Sequence, residues 1–176
     1  MSGNPQHAGG AHAPAVAGPA TVAVFDIDGV LADVRHRLHH LDKRPKDWSA
    51  FFAAASADPP LQQGLELAHV LAADHAVVYV TGRPSRLGKV TRDWLQRHDL
   101  PVGPLVMRRS GDFRPARIAK LELVREIDAD SPVHVVVDDD PEVVRALREA
   151  GFAVFAATWA GDADTLHTAQ EHDGRT

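Results

Sequence analysis

Asp26 and Asp28 stand one residue apart in Asp26-Ile27-Asp28-Gly29-Val30, directly after the apolar run of residues 21–25. Carboxylates this close repel each other unless positive charge lies between them. A divalent cation resolves the conflict, and an all-oxygen donor set favours magnesium over zinc. Asp138, at the end of a second β-branched run, is the expected further ligand, with Asp139 an accessory and Asp140 neither. A cation held in this way places a phosphorus atom in line with a carboxylate. Asp26 is then the expected nucleophile, forming an aspartyl-phosphate, and Asp28 the group that protonates the leaving oxygen and later activates water. The Thr81 hydroxyl and the Lys120 ammonium are expected at the phosphoryl oxygens, with Lys120 also restraining Asp26.

These residues can meet only if the elements that carry them converge. Five short apolar runs, at 21–25, 76–80, 104–107, 133–137 and 152–155, read as strands of a parallel sheet covered on both faces. Helical periodicity falls at 61–73, 84–98, 115–127 and 141–150, the last ending at Gly151 as a C-cap. The alternation predicts an α/β fold, a three-layer Rossmann-like parallel sheet. Reacting groups in such sheets gather beyond the carboxyl ends of the strands. Asp26, Asp28, Thr81 and Asp138 all fall there. The stretch 31–64 is too long for a plain connection. It reads as a small, partly helical insert after the first strand, lying over that edge. Trp48, Phe51 and Phe52 are expected to form its own core, and His36, His39 and His40 to be solvated.

Bulk properties narrow the function. The 176 residues suffice for one domain, and a net charge of −5 argues against a broad nucleic-acid surface while allowing a local basic pocket. Cysteine is absent, which removes disulfides and thiolate zinc sites, and the 11 histidines are scattered. Residues 1–20 are rich in Ala, Gly, Pro and His and are expected to be a disordered tail, with a similar tail at 161–176. They have no signal-peptide pattern, and no apolar run approaches the ~20 residues of a membrane span. A cytoplasmic protein with no membrane association and no obligate protein partner is expected.

Four motifs in order then resemble the haloacid dehalogenase superfamily of aspartate-nucleophile phosphatases. They are Asp26-Ile27-Asp28-Gly29-Val30, Tyr79-Val80-Thr81-Gly82-Arg83, Lys120 within residues 117–122, and Val135-Val136-Val137-Asp138-Asp139. The likeness spans residues 21–157. Within that superfamily the chain is similar to the 3'-phosphatase domain of phage-type polynucleotide kinase–phosphatase. The resemblance implies a phosphatase domain over 21–160 using Mg2+, with Asp26, Asp28, Asp138 and Asp139 at the metal. It also implies that Gly82, Arg83 and Arg109 (or Arg108) hold the substrate phosphate, carried by a nucleotide or a nucleic-acid 3' end. Val30 stands where Thr is commoner, Asp140 where a basic residue is frequent, and no kinase P-loop is present. The alternatives are a phosphatase of small sugar or metabolite phosphates, which the acidic charge favours, transfer to an acceptor other than water, and a non-catalytic binding module.

Overall fold

The computed structural model describes residues 21–109, 111–161 and 164–173. The chain runs through β1 (Val22–Phe25), a 3-10 turn (Arg35–His40), α1 (Trp48–Ala53), a second 3-10 turn (Ala54–Ala57), α2 (Gln62–Leu71) and β2 (Ala76–Pro84). It continues through α3 (Gly88–Arg97), β3 (Leu105–Arg108), α4 (Ala116–Asp130), β4 (Val133–Asp138), α5 (Pro141–Glu149), β5 (Val154–Ala156) and α6 (Asp164–Asp173). The strands form one sheet in the order β3-β2-β1-β4-β5, with every neighbouring pair parallel.

Side-chain alternation divides the core into two layers. Ala23, Phe25, Tyr79 and Val137 face one side, packed with Ala68 of α2 and Trp94 and Leu95 of α3. Val22, Val24, Val78, Val80 and Val136 face the other, packed with Ala116 and Val124 of α4 and Val143 and Leu147 of α5. Each fully buried residue such as Phe25 contributes roughly 1.5–3 kcal/mol over leaving it exposed. The expected three-layer α/β architecture is therefore present.

The order of strands positions the site. The chain winds outward from β1 to β3, then crosses to the other side of β1 to lay down β4. The gap between β1 and β4 is thus the point where the winding reverses, where open α/β sheets bind their ligands. Phe25 is in register with Val137, and the Asp26 N–H donates to the Val137 carbonyl at 2.9 Å. Asp26 and Asp138 consequently leave neighbouring strands at the same level.

Two boundaries differ from expectation. A helix was expected from Pro84, but β2 runs through Pro84, and α3 starts only at Gly88 after a 3-10 turn at Ser85–Leu87. Proline disfavours helical backbone in the residue before it, so Arg83 stays extended and the helix is delayed. The expected tail at 161–176 is corrected over 164–173, which form α6. Leu166 and Ala169, three apart, give that segment one apolar face, and they complete the core of the insert. The expected tail at 1–20 lies outside the described residues.

The insert is partly helical, as expected. Asp47 caps α1 by accepting the Ala50 N–H at 3.0 Å. Trp48, Phe51 and Phe52 are buried with Val34, Leu41, Leu166 and Ala169. Their rings contact one another, with centroids 5.5–5.8 Å apart. The aromatics are thus core, shared with α6. No helix among the described residues is long and apolar enough to cross a membrane.

Candidate active site

Lys120 belongs to the buried stripe of α4, with Ala116, Ala119 and Val124 at helical spacing. That placement drives its ammonium into the sheet edge rather than into solvent. Nζ lies 3.0 Å from Oδ2 of Asp26 and 2.7 Å from Oδ2 of Asp138. Burial works against the charge on Lys120, but the carboxylates of Asp138 and Asp26 prevail and hold its proton more tightly than usual. Burial pushes the Asp26 carboxyl well above the usual carboxylate range; Lys120 opposes this, and Asp138, Asp139 and Asp28 add to it. Asp138 is pushed up to about 6, again chiefly by burial.

One ammonium does not balance the carboxylates gathered here. Asp26, Asp138 and Asp139 each present an oxygen, all within 4.8 Å of one another. An all-oxygen group with surplus negative charge has the donor chemistry of a hard divalent cation. The residues present therefore fit a metal. Gly29 makes room for the third member. Its φ is +83°, and a Cβ there would lie 1.8 Å from Oδ2 of Asp139. Only a residue without a side chain admits that carboxylate.

Asp28 lies apart from this acidic group. Its Oδ1 accepts from Nη2 of Arg37 at 2.9 Å and from Nε of Arg83 at 2.9 Å. Burial works against its ionisation, but the two guanidinium groups outweigh it and hold Asp28 at about 2. The same two arginines share Asp58. Arg37 donates to it through Nε at 2.7 Å and Nη2 at 2.8 Å, and Arg83 through Nη2 at 2.6 Å. His36 Nε2 sits 2.8 Å from Asp58, and Trp94 Nε1 donates to its backbone carbonyl at 2.8 Å. The Arg37 guanidinium also lies 4.0 Å over the Phe51 ring, which joins the insert core to this network. Among the described residues, Arg37 and Arg83 each have a buried Nη1 without a hydrogen-bond partner.

The remaining expected residues divide. Thr81 is buried at the end of β2, where its Oγ1 accepts the Arg83 N–H at 3.2 Å. Arg109 does not join the group. Its side chain is 80% exposed, with Glu126 3.9 Å away. Arg108 turns inward instead, buried and donating to the Arg114 carbonyl. Asp140 caps α5, accepting from the N–H groups of Glu142 and Val143. Sequence reasoning passed over Arg37 as a member of the charged network, and missed Asp58 and His167 altogether. His167 Nε2 lies 3.0 Å from Oδ2 of Asp139.

The chain matches a known family model, the polynucleotide kinase PNKP phosphatase domain, across residues 20–161. The chain belongs to this family. It is a phosphatase domain of the haloacid dehalogenase type, and the family match ends just before α6. Solved structures share the fold of this PNKP-type phosphatase domain. A chain of the Pnkp1/Rnl/Hen1 complex aligns with 81% of it and 47% of its own length, at 23% identity and a TM-score of 0.66. A chain of the Pnkp1/Rnl/Hen1 RNA repair complex aligns with 78% of it and 42% of its own length, at 23% identity and a TM-score of 0.64. The haloacid dehalogenase-like hydrolase SP0104 from Streptococcus pneumoniae covers 88% of this chain and 92% of its own, at 15% identity and a TM-score of 0.56. The PNKP-type domain thus spans less than half the length of the two complex-forming chains. No curated protein sequence matches it.

Proposed function

We propose that the chain is a magnesium-dependent phosphomonoesterase that works through an aspartyl-phosphate on Asp26 and acts on a nucleotide or a nucleic-acid 3'-phosphate. The observation that carries this reading is the pairing of Lys120 with both Asp26 and Asp138 at 2.7–3.0 Å beside a separate, arginine-held Asp28. The two carboxylates after β1 thereby have different environments and different work.

Asp26 attacks phosphorus, and the phosphorus–oxygen bond to the leaving alcohol breaks as that oxygen takes a proton from solvent water, because the two guanidinium groups hold Asp28 ionised. Asp28 then takes a proton from water, which attacks the aspartyl-phosphate and returns Asp26 as a free carboxylate. Asp26, Asp138 and Asp139 would hold magnesium, which supplies positive charge to the phosphoryl oxygens when bound. Lys120 keeps Asp26 oriented, and Thr81 offers its hydroxyl to the transferring group. Arg83 and Arg37, whose side chains are closed to solvent, act by fixing Asp28 and Asp58 beside that group.

Membership of the PNKP phosphatase family and likeness to chains from an RNA repair complex support a nucleic-acid end as the substrate. A second reading, a phosphatase of small metabolite phosphates, is favoured by the net charge of −5. Phosphate release from a 3'-phosphorylated oligonucleotide, compared with a panel of phosphorylated metabolites in the presence of magnesium, separates the two. Turnover of the metabolites alone would end the nucleic-acid reading.

A further inference from the structure

We propose that His167 on the C-terminal helix is a positioning residue for Asp139, which makes α6 a working part of the metal centre. The proposal rests on the reading that Asp139 shares in holding the metal. His167 Nε2 stands 3.0 Å from Oδ2 of Asp139, and the imidazole is largely buried. Among the described residues, its Nδ1 has no hydrogen-bond partner, so Asp139 is the polar contact the ring makes.

Helix α6 lies beyond residue 161, where the family match ends, so the family pattern does not require it. It is nevertheless fixed at three places. Leu166 and Ala169 sit in the aromatic core of the insert. Lys46 of the insert reaches Asp173 at 2.7 Å, and Arg117 of α4 reaches Glu171 at 2.6 Å. Helical geometry puts His167 and Glu171 four apart on one side, so the anchor at Glu171 also sets the direction of the imidazole. The Asp139 carboxylate is then confined between the bare Cα of Gly29 and the His167 ring. With Oδ2 engaged, Asp139 keeps its other oxygen for a cation. Groups that orient a metal-binding carboxylate in this way typically govern affinity for the ion rather than the chemistry that follows.

The test uses the full chain with His167→Ala and His167→Gln. Magnesium binding is measured by calorimetry without substrate, and phosphate release is measured against magnesium concentration. His167→Ala is expected to weaken magnesium binding about 10–100-fold. The magnesium needed for half-maximal rate should rise with it, while the rate at saturating magnesium changes little. His167→Gln, whose amide can donate from a similar position, is expected to recover most of the affinity. A melting temperature in chelator close to that of the unaltered chain identifies the effect as positioning rather than folding. Unchanged magnesium affinity in His167→Ala overturns the proposal, and so does a Gln variant no better than Ala. Weakened binding in a chain that releases phosphate from no ester would uphold this inference and defeat the phosphatase reading. No magnesium binding by the unaltered chain would defeat both.

Discussion

Arg83 and Asp58 meet at 2.6 Å with both side chains closed to solvent. Asp58 lies within the insert and Arg83 near the end of β2, so their contact fastens the insert to the sheet. Replacing Asp58 with Ala leaves Arg37 and Arg83 buried with Asp28 as their one remaining carboxylate. Breaking a buried pair in this way costs about 3–5 kcal/mol. Asp58→Ala should lower the unfolding free energy by that amount in urea titration and slow phosphate release. An unchanged urea midpoint would contradict this account of the network.

Asp26→Asn should abolish turnover without weakening the fold. Burial and neighbouring carboxylates disfavour the charged form of Asp26, so a neutral amide of the same shape removes repulsion as well as the contact with Lys120. Phosphate release should fall by about three orders of magnitude or more, while the melting temperature in chelator is held. Residual activity near that of the unaltered chain would rule out Asp26 as the nucleophile.

Magnesium should stabilise the protein in proportion to its binding. At a concentration one hundred times its dissociation constant, the gain is about 2.7 kcal/mol. Melting temperatures should therefore rise with magnesium and return to the starting value in chelator, and Asp138→Asn should blunt the rise. Equal melting curves with and without the ion would remove the metal from Asp26, Asp138 and Asp139.

Gly29→Ala brings together two penalties. The φ of +83° is costly for a residue with a side chain, by about 1–2 kcal/mol. The new Cβ would also displace Asp139. Reduced stability in chelator should accompany weaker magnesium binding. Loss of stability alone, with magnesium affinity preserved, would mean that Asp139 has no part in holding the ion.

The reach of the sequence followed the physics of each feature. Strand runs such as 22–25 and the acids after them were legible because parallel strands buried on both faces are uniformly apolar and end abruptly at polar residues. Lys120 was legible as a candidate, and its buried stripe with Ala116, Ala119 and Val124 explains why it turns inward. Asp58 and His167 were not legible. Each acts through a partner far away in sequence, Arg83 for Asp58 and Asp139 for His167. No local period or turn signal records such a meeting. Arg108 and Arg109 are adjacent in sequence, and only the register of β3 against β2 decides which one is buried.

The Arg37 contacts have a bearing on how substrates are chosen. This residue is pinned at once by Asp28, Asp58 and the face of Phe51. Swinging the insert away would pull apart charges that have no water to receive them. The part of the insert that carries Arg37 and Asp58 is therefore a rigid frame beside Asp28 rather than a hinged cover. On the proposed reading of Asp26 as nucleophile, choice among phosphate esters would then rest on the shape of this frame.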